Sequence, residues 1–241
     1  MIDPSTLPAL TASEMAAVDE AAVARGLSLL QMMENAGCLL ARLVHERVPA
    51  GMPIAVLAGP GGNGGGALAA ARRLAGFGHR VLVIPAKAPD AFTTAAMHQW
   101  RLLEQIEGIE LLDKARPESG IPACGLIVDG LLGYSLRGAP LGAFAQWIEA
   151  ANAQPAPVVS LDLPSGLDPD SGITAGAAIR AEATLTLALP KKGLFANAAQ
   201  PFVGRLALGD IGIAPSWIAA AVFRIVAGDW YAGGDLQWLA K

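Results

Sequence analysis

The run Ile54-Ala55-Val56-Leu57-Ala58, followed at once by Gly59-Pro60-Gly61-Gly62-Asn63-Gly64-Gly65-Gly66, constrains this chain more than any other segment. Five unbroken apolar residues have no hydrophilic face, so the run predicts a strand buried on both sides, as in parallel sheets covered by helices. Five glycines within residues 61–66 exceed what a tight turn needs. They let the backbone approach a ligand or a neighbouring segment closely. An Ala-rich helical stretch follows to about Phe77. Strand, loop and helix in that order can turn backbone N–H groups and a positive helix N-terminus toward an anion.

The alternation continues downstream. Val81 to Ile84 predicts a strand and Ala91 to Ile106 a helix; Leu126-Ile127-Val128 runs as a strand into Asp129. A helix over Leu141 to Ala151 and a strand Val158-Val159-Ser160-Leu161 ending at Asp162 come next. Ala183 to Leu189 and Arg205 to Leu208 read as strands without clear helices between them. Upstream, Thr11 with Glu14 and Ser28 with Gln31 have capping-box spacing, predicting helices to about Arg25 and to Arg47. The pattern implies an α/β fold, a parallel sheet with helices on both faces. It stops at Pro215, which divides the chain into a domain over 1–215 and a C-terminal tail over 216–241. That tail reads either as a docked helix or as the stub of a longer architecture.

Charge narrows the partners. Seventeen Lys plus Arg against 21 Asp plus Glu give a net charge of -4, so no positive field attracts nucleic acid or an anionic membrane. An anionic ligand must then be held by local dipoles or a bound cation. Met1 to Thr11 lacks the pattern of a signal peptide and no apolar stretch has the length of a membrane span, so a cytoplasmic location is expected. Cys38 and Cys124 have no C-x-x-C spacing and read as buried free thiols. His45, His79 and His98 stand apart in sequence, suited to surface or helix-end positions rather than metal ligation.

Three unusual loops each follow a predicted strand: the Gly-rich loop, the segment from Asp129, and Asp162-Leu163-Pro164-Ser165-Gly166. In an open α/β sheet they converge at the carboxyl edge, where ligands bind. The Gly-rich loop is not a Walker A loop, since no Lys-Ser/Thr follows it. Gly59, Gly61 and Gly64 satisfy G-x-G-x-x-G, but Ile84-Pro85-Ala86-Lys87 stands where the ribose-binding acid belongs, which disfavours an ordinary NAD dehydrogenase. Asp129 can hold a cation, orient a hydroxyl or cap its own turn. Arg137 reads as solvated or as a phosphate contact. Pro164 and the Ser165-Gly166 turn make Asp162 a rigid carboxylate suited to general acid/base work. Asp168, Asp170 and Gly172 lack the distal Glu of a calcium loop and read as a solvated turn.

Met33-Glu34-Asn35-Ala36-Gly37, the Gly-rich loop, Val128-Asp129-Gly130-Leu131-Leu132-Gly133, Leu161-Asp162-Leu163-Pro164-Ser165-Gly166-Leu167, Ala183-Thr184-Leu185-Thr186, Pro190-Lys191-Lys192-Gly193-Leu194 and Gly209-Asp210-Ile211-Gly212 occur in that order. Together they make the chain resemble the YjeF N-terminal domain family, whose enzymatic members are NAD(P)H-hydrate epimerases. The resemblance implies a Rossmann-like three-layer αβα sandwich with a mostly parallel central sheet, often dimeric. It also implies interconversion of the R and S forms of hydrated NADH and NADPH. By the same resemblance Asp162 is the catalytic carboxylate and a substrate contact. Gly62, Asn63, Gly64, Gly65 and Gly66, with Gly133, Tyr134, Ser135, Leu136, Arg137, Gly138 and Ala139, are substrate contacts. Asn63, Asp129 and Ser165 are potassium ligands. The chain departs from the family loop at Gly62, where the family has Asn, at Gly66, where it has Asp, and at Ala67, where it has Gly. Some members use the fold as a non-catalytic scaffold, which is the alternative expectation for this chain.

Overall fold

A computed structural model describes residues 1–113 and 115–240. In chain order the elements are α1 (Ala12–Ala24), α2 (Leu29–His45), β1 (Ile54–Ala58), α3 (Gly62–Gly76), β2 (Val81–Pro85), α4 (Thr94–Leu103), β3 (Ile109–Leu111), β4 (Leu126–Gly130) and α5 (Ala143–Asn152). They continue with β5 (Val158–Leu161), β6 (Ala183–Leu187), α6 (Gln200–Val203), β7 (Arg205–Gly209), α7 (Pro215–Ala221) and β8 (Leu236–Trp238). The strands form one sheet in the order β3-β2-β1-β4-β5-β6-β7-β8. All neighbours are parallel except β8, which runs antiparallel to β7. The fold is an α/β sandwich of the Rossmann-like type.

Burial explains the strand sequences. Val56 and Ala58 point into a core shared with α2, α3 and α4, whereas Ala55 and Leu57 point into a second core against Trp147, Ile148 and Ala151 of α5. A strand with two covered faces leaves no position for a polar side chain. Both capping boxes form: Thr11 pairs with Glu14 and Ser28 with Gln31, each side chain bonding the other residue's backbone N–H. α2 ends at His45, short of Arg47, and α4 is confined to Thr94–Leu103 because Pro89 to Ala91 form a separate 3-10 turn. The link between β6 and β7 that looked helix-poor holds only short helical turns and α6.

The segment after Pro215 packs onto the domain. Ile218 of α7 is fully buried, and β8 adds a strand to the sheet edge. The guanidinium groups of Arg47 and Arg205 sit 4.6 and 4.2 Å from the Trp238 ring. Ile2 bridges Leu239, so the two ends of the chain meet. No described helix is long and apolar enough to cross a membrane.

Candidate active site

The strand order reverses between β1 and β4. β2 and β3 extend one way from β1, and β5 to β8 extend the other way from β4. Loops leaving the carboxyl ends of two such strands part in opposite directions and open a crevice. Here the crevice is a cavity of about 920 Å³, lined by Gly61, Asn63, Leu131, Tyr134, Asp162 and Lys191 among others. Gly59 N–H donates to the Gly130 carbonyl at 3.0 Å, fastening the two loops together. A Cβ on Gly59 would stand 1.9 Å from the Leu131 carbonyl oxygen, so only glycine permits that approach.

The Gly-rich segment is mostly helix, which corrects its reading as a loop. α3 begins at Gly62, with Gly61 as its N-cap. Packing is the physical reason for the glycines. A Cβ on Gly64 would meet the Gly59 oxygen at 1.8 Å, and one on Gly65 would meet Met33 Sδ at 2.6 Å. Across the same seam a Cβ on Gly37 would come 2.6 Å from Ala69 Cβ. Small residues let α2 and α3 approach at close range, and Gly62, Asn63 and Gly66 remain on the cavity wall while Gly64 and Gly65 do not.

Asp129 lies wholly buried at the end of β4. Its Oδ1 accepts from Ser165 Oγ at 2.6 Å and Leu131 N at 3.2 Å; its Oδ2 accepts from Ser160 Oγ at 2.8 Å and Ser165 N at 2.9 Å. Burial pushes its carboxyl above the usual carboxylate range despite the Ser165, Ser160 and Leu131 bonds that favour the charge. No cationic side chain pairs with it among the described residues. Asn63 Nδ2 donates to the Leu132 carbonyl at 3.0 Å, and Leu132 N donates to Ser165 Oγ at 2.9 Å. Asn63 in the first turn of α3, Asp129 at the end of β4 and Ser165 in the loop after β5 are thus joined through Leu132 and one another.

Asp162 follows β5 with φ of 69°, a left-handed conformation that side chains other than glycine adopt at a cost. Its N–H donates to the Leu185 carbonyl at 2.7 Å, and Lys191 Nζ bonds its Oδ1. Lys191 also donates to the Leu187 carbonyl at 3.0 Å. The backbone of Lys191 is held by Leu10, whose N–H bonds Pro190 and whose carbonyl accepts from Lys192 N. Lys191 was not anticipated as a functional residue. Two adjacent lysines are indistinguishable in sequence, and only the fold buries Lys191 while leaving Lys192 exposed.

Tyr134 reaches from the β4 loop across to α1, where its hydroxyl donates to Asp19 Oδ2 at 2.5 Å. Lys191 Nζ lies 5.8 Å from the centre of the Tyr134 ring. Burial raises the Asp19 carboxyl, with the Tyr134 hydroxyl opposing that shift, and burial together with Asp19 pushes the Tyr134 phenol far up. Asp19 lines the cavity and was also missed, since an Asp-Glu pair on a helix looks like solvated surface.

Gly133, Tyr134 and Ser135 line the cavity. Leu136, Arg137, Gly138 and Ala139 are not among the residues that line it: Arg137 is exposed and donates to the carbonyls of Tyr134 and Leu136 at 3.2 and 3.0 Å, bracing its own loop. Ala139 packs on Gly176, where an added Cβ would lie 3.1 Å away. The histidines are not all apart. His45 and His79 are linked through their ring nitrogens at 2.8 Å, and His98 lines the cavity. Cys124 is buried and Cys38 half-buried, both free. Asp168 caps its own turn, accepting from Ser171 N at 2.7 Å and Asp170 N at 3.1 Å. No cluster of three or more His, Cys, Asp or Glu suited to a metal occurs among the described residues.

A reversing parallel sheet with a buried acid-base pair at its crevice defines a Rossmann-like protein with a site for a small molecule. A family profile described as YjeF-related protein N-terminus matches residues 29–193, and the chain belongs to that family. The NAD(P)H-hydrate epimerase of Dehalogenimonas lykanthroporepellens is 40% identical, over 96% of this chain and 91% of that protein. The NAD(P)H-hydrate epimerase of Rhodopirellula baltica is 33% identical, over 86% of this chain and 85% of that one. A bifunctional NAD(P)H-hydrate repair enzyme from Hyperthermus butylicus is 35% identical over 86% of this chain, which spans only 39% of it. The crystal structure of yeast ynu0 matches with a TM-score of 0.71 over 97% of this chain and 100% of that one, at 22% identity, a likeness of fold.

Proposed function

We propose that this chain is an epimerase that interconverts the R and S forms of hydrated NADH and NADPH, with Asp162 as an acid/base group at C6 of the nicotinamide ring. The observation that carries the reading is the buried Asp162–Lys191 pair on the wall of a cavity large enough for a dinucleotide. Matches to proteins named NAD(P)H-hydrate epimerase along nearly the whole chain support it. Lys191 holds Oδ1 of Asp162, which leaves Oδ2 to face the ligand. The ammonium and the rigid turn hold that carboxylate in one orientation, which is what positioned proton transfer requires. Leu131, Phe144 and Met33 supply apolar walls that keep bulk water from the ring.

Asn63, Asp129 and Ser165 are the residues that would hold a potassium ion. Their side chains offer hard oxygen, and Asp129 is a buried carboxylate whose neighbours among the described residues are all neutral donors. A bound monovalent cation would supply positive charge that offsets Asp129 and the phosphates of the substrate.

The test is chiral chromatography of one pure hydrate epimer incubated with the protein. Wild type should racemise it faster than the spontaneous background, and Asp162→Asn should lose about 10²–10⁴-fold of that excess. Equal rates for the two proteins would remove Asp162 from the chemistry.

A further inference from the structure

Inversion at C6 has a stereochemical demand that one carboxylate meets poorly. The hydroxyl leaves one face of the ring and water must return on the other, so proton transfer is needed on both sides. Asp162 stands at the end of β5, and a second, half-buried carboxyl lines the same cavity from a different element, α1. Asp19 comes from α1, upstream of the residues matched by the family profile. The Tyr134 hydroxyl fixes its Oδ2 at 2.5 Å, and the Tyr134 ring stands beside the Lys191 ammonium. Oδ1 of Asp19 makes no hydrogen bond among the described residues and is free to meet a ligand.

Resting on the epimerase reading, we infer that Asp19 is a second catalytic acid/base group, serving one face of the substrate ring while Asp162 serves the other. In one direction the Asp19 carboxylic acid gives its proton to the C6 hydroxyl. The C6–O bond breaks, the N1 lone pair forms a C6=N1 iminium, and water departs. A water on the Asp162 side then bonds C6 through its oxygen, the π pair returns to N1, and Asp162 takes the released proton. Asp19 ends as carboxylate and Asp162 as acid, which is the starting state for the reverse direction. No oxidant or reductant enters. Burial favours the protonated form of Asp19, and the phenol of Tyr134 stays a neutral donor. The charged groups facing the Asp19–Tyr134 pair are Lys191, Asp162 and Glu20.

The experiment follows inversion and oxygen exchange together, with each pure epimer in turn in ¹⁸O-water. Wild type should incorporate one solvent oxygen per inversion. With the epimer whose hydroxyl faces Asp162, Asp19→Asn should slow inversion about 10²–10⁴-fold while the ratio of oxygen exchange to inversion rises, because Asp162 can still return water to the face it left. With the opposite epimer, on which Asp19 acts as the acid, the alkaline limb of the wild-type pH profile should vanish in the variant. An unchanged ratio, whether or not the rate falls, would overturn the inference, since a merely structural role moves both together. If Asp19→Asn does not fold, Tyr134→Phe decides: loss of a bond that favours the Asp19 carboxylate should move the alkaline limb to higher pH, and an unmoved limb overturns the proposal. A wild type with no inversion at all would instead sink the epimerase reading.

Discussion

Lys191 bonds Asp162 where both side chains are almost sealed from solvent, 1% and 6% exposed. Outside the interior such a pair contributes little, but here each charge depends on the other. Lys191→Met would leave Asp162 as a buried carboxylate without its counter-ion, in an already strained backbone conformation. The expected loss is about 3–5 kcal/mol of unfolding free energy. Adding Asp162→Asn to that variant should recover part of the loss. Denaturant melts of the two single variants and the double check this; strictly additive losses would mean the two side chains do not depend on each other.

Potassium should raise the melting temperature beyond the effect of equal ionic strength from a bulky cation, because an ion held by the native state alone stabilises it by mass action. Asp129→Asn should erase the difference. Superimposable melting curves of wild type in the two salts would count against the Asn63–Asp129–Ser165 site.

Glu14 ties the tail to the first helix. Arg224 donates to both its oxygens, Nε to Oε1 at 2.6 Å and Nη2 to Oε2 at 2.7 Å, and Oε2 also caps Thr11 N at 2.8 Å. The Arg224 bond is the main cause that holds the Glu14 carboxyl down at about 2, against an ordinary 4.5. A depressed folded-state value means the contribution is present above pH 4.5 and is lost as pH falls toward 2. Because Arg224 is half-exposed, the pair is worth about 1 kcal/mol or less. Arg224→Ala should therefore lower stability at neutral pH by that amount and converge on wild type near pH 2. Thermal melts across that range decide, and a gap that persists in acid would assign the effect to packing.

The departures from the family loop have different structural costs. Nothing lies within 4 Å of a Cβ built on Gly62, whereas one on Gly66 would meet Leu161 Cδ2 at 2.9 Å. Gly62→Asn should leave stability unchanged or slightly raised, since glycine is a poor helix former. Gly66→Asp must displace the Leu161 side chain and should cost about 1–3 kcal/mol. Calorimetric titration with a dinucleotide then tells whether either side chain improves binding; tighter binding by Gly66→Asp without loss of stability would show that Leu161 yields freely.

Much of the fold was legible because local patterns carried it. β1 and β5 lie on the predicted residues, and both capping boxes form as their spacing required, since caps and apolar runs are satisfied by near neighbours. β3 was missed, for its residues Ile109–Leu111 are only partly buried and contain a charged Glu110. The Gly-rich helix start was misread because glycine's helix-breaking tendency is local, whereas the close contacts with Met33, Gly59 and Leu161 that offset it are tertiary.

The candidate site divides in the same way. Sequence by itself determined Asp129, Asp162 and the strand ends that carry them, because a polar residue that closes an apolar run must lie at the sheet's carboxyl edge. Only the tertiary structure decided that Lys191 rather than Lys192 is buried against Asp162, and that Asp19 of α1 meets Tyr134 across 115 residues of chain. It also left Leu136, Arg137, Gly138 and Ala139 out of the cavity lining. A charge's role depends on which distant group desolvates and pairs with it, and that is a property of packing rather than of neighbours in sequence.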